Sequence, residues 1–189
     1  MEITKDTRAL VTGANGGLGS AIARALHAAG ATMVVTGRRA EALRPLADTL
    51  GARVIVADLA TRADVARCMD EAGPVDVLVA NAALPSSGPL MEFEADQIDR
   101  ALDVNLRAPI MMAHRAVVGM LERGRGHIVF ISSISGKVAA RGPASTRRRS
   151  SACVASRSAS ARIYTDPVSA SARSSPGSSG TPACSRIPR

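Results

Sequence analysis

Short apolar runs alternate with amphipathic stretches along most of this 189-residue chain. Apolar runs bounded by turn residues predict buried strands, and apolar residues spaced three and four apart predict helices. Strands are expected at Arg8–Thr12, Thr32–Thr36, Arg53–Ala57, Val75–Ala80 and Gly126–Ser132. Helices are expected at Gly17–Gly30, Arg39–Leu50, Thr61–Glu71 and Ala95–Glu122, the last with a candidate break near Pro109. This alternation predicts an α/β fold, with about five parallel strands between two layers of helices.

The charge is unevenly divided between two segments. Residues 1–140 carry 15 basic and 15 acidic side chains, whereas residues 141–189 carry nine arginines and one acid, so the net charge of +8 lies in the tail. The tail has 13 serines and no Leu, Met or Phe, too little apolar surface to offset the entropy of ordering. We expect one domain over 1–140 and an irregular, disordered tail over 141–189. Tyr164 is the one aromatic residue of the tail, so no aromatics for base stacking alternate with its arginines, which predicts a solvated segment and no nucleic-acid partner.

The composition disfavours several other classes of protein. No stretch of about 18 apolar residues predicts a membrane span, and the first residues lack the basic-then-apolar pattern of a signal peptide. The three cysteines, Cys68, Cys153 and Cys184, show no spacing typical of metal ligands or disulfides. We therefore expect a cytoplasmic protein that binds neither a membrane nor a metal.

A glycine-rich turn separates the first strand from the first helix. It runs from Thr12 to Gly19 and includes Gly13, Asn15, Gly17 and Leu18. Glycines permit a sharp turn and a close approach of the backbone to a pyrophosphate, which the N-terminus of the helix attracts. Glycines also occur in turns without any ligand, but the strand before and the helix after favour a Rossmann-like dinucleotide site.

These residues and four later motifs resemble the short-chain dehydrogenase/reductase family. The family's motifs are matched by Thr12-Gly13-x-x-x-Gly17-x-Gly19, Asp58-Leu59, Ala80-Asn81-Ala82-Ala83, Asn105 and Ser133. The resemblance implies that Asp58 and Leu59 contact adenine, that Asn81 and Ala82 border the cofactor, and that Asn105 and Ser133 are catalytic. It also implies a small carbonyl or alcohol substrate, and pairing of subunits through the Ala95–Glu122 helix. The simpler alternatives are a solvent-facing Asn105 and an ordinary strand-end hydroxyl at Ser133.

The end of the second strand bears on the choice of cofactor. An NAD site usually has a carboxylate there for the ribose hydroxyls, but this chain has Gly37 followed by Arg38 and Arg39. A guanidinium group can pair with a 2′-phosphate, so the pattern favours NADP(H) over NAD(H). The alternative is that both arginines are ordinary exposed residues at the start of a helix.

Two catalytic residues of the family have no counterpart in this chain. The resemblance implies a Tyr and, four residues later, a Lys about a dozen positions after Ser133, where the chain has Thr146 and Ser150. A one-base shift of the reading frame near codons 141–145 can restore both when third bases are chosen among those the genetic code permits, with a Tyr codon across Ser145 and Thr146. We therefore expect an NAD(P)-dependent oxidoreductase that is inactive as written, with an out-of-frame tail. The alternatives are a non-catalytic dinucleotide-binding protein and a fragment without function.

Overall fold

Five short apolar segments form one parallel sheet. The computed structural model describes residues 1–85 and 90–132. Its strands are β1 (Arg8–Thr12), β2 (Thr32–Gly37), β3 (Arg53–Val56), β4 (Val77–Ala80) and β5 (His127–Phe130). They lie in the order β3-β2-β1-β4-β5, and every adjacent pair is parallel. The predicted Rossmann-like α/β fold is confirmed, and the predicted tail, 141–189, lies outside the described residues.

Helices cover both faces of the sheet because side chains alternate along each buried strand. The helices are α1 (Gly17–Ala28), α2 (Ala40–Leu50), α3 (Arg62–Ala72), α4 (Ala95–Leu102) and α5 (Ala108–Glu122). Leu10 and Leu78 belong to a buried cluster with residues of α3 and α5. Val11 and Val79 belong to a second cluster with residues of α1 and α2. The sheet therefore lies between two separate cores, as the sequence predicts.

The predicted long helix is interrupted just before Pro109, near the predicted break. A π-helical segment, Asp103–Arg107, joins α4 to α5. Pro109 lies in the first turn of α5, where a residue without an N–H group is tolerated. Such π segments often mark functional sites, and this one contains Asn105.

Cys68 is completely buried in α3. Burial raises the pKa of its thiol, so the side chain is a neutral packing group and not an activated nucleophile.

Within residues 1–85 and 90–132, no three His, Cys, Asp or Glu side chains are grouped to hold a metal ion. No helix in the same ranges is long and apolar enough to cross a membrane.

One buried carboxylate connects the starts of β1 and β4 with the loop before β5. Asp76 is 3% exposed, and its Oδ2 accepts a hydrogen bond from the Arg8 N–H at 3.1 Å. Its Oδ1 accepts from Arg123 Nε at 3.2 Å and lies 3.4 Å from Arg125 Nε. Asp76→Ala should lower the free energy of unfolding by about 2 kcal/mol, because it leaves these donors without their acceptor. Urea denaturation measures the loss.

Asp70→Ala is the matched control, because Asp70 pairs with Arg115 on the surface and its side chain is 66% exposed. An exposed pair contributes at most about 1 kcal/mol, so this variant should unfold near the midpoint of the wild-type protein. Equal losses in the two variants would contradict the role given to Asp76.

Candidate nucleotide-binding site

The turn between β1 and α1 needs glycine at two positions. Gly13 has a φ of 63°, and a Cβ there would lie 2.8 Å from the Cα of Ala82. A Cβ on Gly19 would lie 2.4 Å from the carbonyl oxygen of Gly13 and 2.7 Å from Nδ2 of Asn81. The glycines thus let the turn pack directly against the loop after β4 and the start of α1.

Gly17 has a different environment, because a Cβ built on it would point into open space. No atom lies within 4 Å of the Cβ position, although Gly17 is the first residue of α1. The preceding residue, Gly16, caps the helix without a side-chain hydrogen bond, and Leu18 is 58% exposed. The N–H groups in the first turn of a helix lack partners within the helix and attract anions. The turn therefore fits a phosphate group at this point.

A groove with a volume of about 390 Å³ extends from this turn along the carboxyl ends of the strands. It contains every residue predicted to bind the cofactor except Thr12. Those residues are Gly13, Asn15, Gly17, Leu18, Gly19, Arg38, Arg39, Asp58, Leu59, Asn81 and Ala82. The lining also includes residues that the sequence analysis did not select as cofactor-binding, namely Gly16, Gly37, Ala57, Ala83, Leu84, Arg100 and Val104.

Thr12 supports the groove from beneath. Its side chain is 1% exposed, and its hydroxyl accepts hydrogen bonds from the N–H groups of Asn81 and Ala82, both at 2.9 Å. In return, Asn81 Nδ2 donates to the carbonyl oxygens of Thr12 at 2.9 Å and Gly13 at 3.2 Å. The turn and the loop after β4 are therefore joined as one wall.

Asn105 also holds the loop after β4. Its Oδ1 accepts from the N–H of Leu84 at 2.7 Å, and its Nδ2 donates to the carbonyl oxygen of Leu84 at 3.0 Å. The alternative of a side chain that simply faces solvent is therefore wrong. Ser133, the other residue predicted to be catalytic, lies outside the described residues.

Asp58 is bonded within the groove to a residue that the sequence analysis missed. Its Oδ2 accepts from Nη2 of Arg100 at 2.8 Å, and its Oδ1 accepts from the N–H of Ala60 at 3.1 Å. Partial burial acts to raise the pKa of this carboxyl, but these hydrogen bonds and the charges of Arg100 and Arg38 hold it below its usual value. The lining of the groove thus combines the ionised carboxylate of Asp58 with Arg38, Arg39 and Arg100. This excess of positive charge suits a ligand with several negative charges.

The comparison with known families agrees with this geometry. A family model described as short chain dehydrogenase matches residues 7–145. The chain belongs to the short-chain dehydrogenase family. The match includes the glycine turn, Asp58, Asn81, Asn105 and Ser133, so the sequence-based assignment to this family is confirmed.

Individual relatives from this family are similar over the same part of the chain. An uncharacterized oxidoreductase of Staphylococcus aureus (strain N315) is 34% identical over 143 residues, which are 72% of this chain and 62% of the relative. A 3-oxoacyl-[acyl-carrier-protein] reductase of Rickettsia felis is 33% identical over 129 residues, 67% of this chain and 54% of the relative. The chain thus matches between about half and two thirds of the length of these two relatives.

A solved structure has the same fold. It is a metagenomic short-chain oxidoreductase in complex with NADP, 34% identical to this chain, with a TM-score of 0.67. The alignment covers 73% of this chain and 66% of the metagenomic oxidoreductase.

Proposed function

We propose that the groove binds a nicotinamide dinucleotide and that the chain derives from an oxidoreductase acting on a small carbonyl or alcohol compound. The observation that carries the proposal is the open N-terminus of α1 at Gly17, at the carboxyl edge of the sheet. The NADP complex of the similar metagenomic enzyme supports the same ligand class. Fluorescence titration of the full chain with NADPH tests the proposal. Saturable binding is expected, and folded protein without binding would overturn it.

The nucleotide would lie in the groove along the carboxyl ends of the strands. The first turn of α1 would hold its phosphates, and Asp58 and Leu59 would border its adenine. Asn81 and Ala82 would border the half of the nucleotide that carries the nicotinamide ring. A bound nicotinamide nucleotide supplies hydride exchange with a carbonyl or alcohol carbon.

The preference for NADP(H) is proposed from the end of β2. Gly37 carries no carboxylate, and Arg38 and Arg39 line the groove immediately after it. Gly37→Asp should weaken NADPH binding about tenfold or more and strengthen NADH binding, because a carboxylate repels the 2′-phosphate and accepts hydrogen bonds from ribose hydroxyls. A Cβ at this position lies 3.0 Å from Oδ1 of Asn15, so that side chain must move slightly. Competitive titration with both nucleotides measures the ratio of affinities.

Gly37→Asn is the matched control, because it adds a side chain of nearly the same size without the charge. It should weaken both nucleotides similarly and leave their ratio near the wild-type value. A ratio that changes equally in both variants would show that the end of β2 does not select the cofactor.

The residues proposed for the reaction are Asn105 and Ser133. Asn105 fixes the loop at Leu84 beside the groove, and Ser133 would donate a hydrogen bond to the substrate oxygen. No Tyr or Lys stands at the family's positions to move the proton, so little or no turnover is expected. NADPH oxidation with a panel of ketones, abolished by Ser133→Ala, would refute this expectation.

A non-catalytic dinucleotide-binding protein is the second candidate function. The combination of a complete glycine turn with missing proton-transfer residues favours it. It predicts NADPH binding without turnover, whereas a fragment without function predicts rapid proteolysis and no binding. A cytoplasmic location stays a prediction from the cysteine spacing.

Pairing of two copies through the α4–α5 region is proposed from its surface. Large apolar side chains along this region are at least 40% exposed, namely Leu102, Leu106, Ile110, Met111, Val118 and Leu121. Such an apolar surface is typical of protein contacts. Sedimentation velocity determines the state of association, and a monomer at high concentration would contradict the proposal.

A further inference from the structure

An ion pair inside the groove joins α4 to the loop after β3. Nη2 of Arg100 lies 2.8 Å from Oδ2 of Asp58, and the two side chains are 41% and 34% exposed. Both residues line the same groove as the glycine turn. They are 42 positions apart in the sequence, so the contact depends on the tertiary fold and not on local spacing.

The rest of the Asp58 environment comes from its own loop. The N–H of Ala60 donates to Oδ1 of Asp58, and the N–H of Asp58 donates to Oδ2 of Asp64 at 2.7 Å. Arg100 is therefore the contact that fixes this carboxylate from across the groove. Each carboxylate oxygen can accept more than one hydrogen bond, so Asp58 can still receive a donor from a ligand.

An ionised carboxylate distinguishes two kinds of purine. It accepts a hydrogen bond from the 6-amino group of adenine, but it faces the 6-carbonyl oxygen of hypoxanthine with like partial charge. The strength of this discrimination depends on how firmly the carboxylate is oriented, since a mobile side chain turns away from an unfavourable neighbour.

We propose that Arg100 is a positioning residue that orients Asp58 toward the purine and so makes the groove selective for adenine over hypoxanthine. The inference rests on the proposed function, which places adenine beside Asp58. Arg100 acts through Asp58 and needs no contact of its own with the nucleotide.

The test compares NADPH with the reduced nicotinamide hypoxanthine dinucleotide phosphate by fluorescence titration of the full chain. The wild-type protein should prefer NADPH about tenfold. Arg100→Met removes a positive charge from the groove and should weaken binding of both nucleotides, but it should weaken NADPH about tenfold more than the hypoxanthine analogue, so the preference falls toward one. Arg100→Lys keeps the charge and should retain part of the preference.

Arg115→Met is the matched control. Arg115 also forms an ion pair between two elements, with Asp70, and its side chain is 39% exposed, but it does not line the groove. It should keep the wild-type preference. The inference would be overturned if Arg100→Met weakened binding of both nucleotides by the same factor. It would also be overturned if Arg115→Met changed the preference as much as Arg100→Met does. In both cases, NADPH binding by the wild-type protein would still support the proposed function. Wild-type protein that binds neither nucleotide would overturn both.

Discussion

Gly17→Asp should abolish nucleotide binding and leave the fold intact. The Cβ position of Gly17 has no neighbour within 4 Å, so a side chain fits without displacing the structure. An acidic residue in the first turn of a helix is also favourable for the helix itself. The same carboxylate would stand where the proposed phosphates bind, and its repulsion should weaken NADPH binding by about a hundredfold or more.

Titration with NADPH and thermal unfolding, followed on the same preparation, measure the two effects separately. Gly17→Asn is the control for the size of the side chain, and it should lose much less affinity than the acidic variant. If Gly17→Asp bound NADPH as tightly as the wild-type protein does, the glycine turn would not be part of the nucleotide-binding site.

The second large effect is expected from restoring the reading frame. If the Ser145 codon ends in T, the Arg149 codon ends in A and the Ser150 codon begins with AG, a one-base insertion in the gene near codons 141–145 would place a Tyr codon across Ser145 and Thr146 and a Lys codon across Arg149 and Ser150. The family match ends at residue 145, close to the proposed shift. Because a positioned general acid contributes about 10² to 10⁴ in rate, the restored chain should reduce carbonyl compounds at least about a hundredfold faster.

NADPH oxidation with a panel of ketones measures this gain. The control is the restored gene with its new Tyr codon changed to Phe, which should bind NADPH but lose the added turnover. Sequencing of the gene provides a separate check, since an in-frame tail with the codon usage of the rest of the gene would argue against the shift.

The strands, the buried helix faces and the glycine turn were predictable from the sequence, because each depends on residues that are close together along the chain. The apolar run Arg8–Thr12 is a strand in the structure with the predicted bounds. Leu43, Leu46 and Leu50, spaced for one face of a helix, are all buried in α2. The turn from Thr12 to Gly19 is similarly determined, because each glycine either packs against backbone or faces the groove.

Two features of the site could not be predicted because they depend on distant contacts. The apolar spacing continues through Asp103–Arg107, so nothing in the pattern distinguishes the π segment from an ordinary helix. Its Asn105 bonds to Leu84, 21 positions earlier. Arg100 belongs to no motif, and only the packing of α4 over the groove brings it to Asp58.

The position of β5 has a practical consequence for every experiment above. Within residues 1–85 and 90–132, β5 pairs with β4 on one side and with no other strand. A strand edge that stays unpaired in the whole chain can recruit strands from other molecules, and we predict for that case that purified protein self-associates as its concentration rises. Binding should accordingly be measured in dilute samples, with light scattering recorded alongside each titration, so that lost signal from precipitation is not counted as lost affinity.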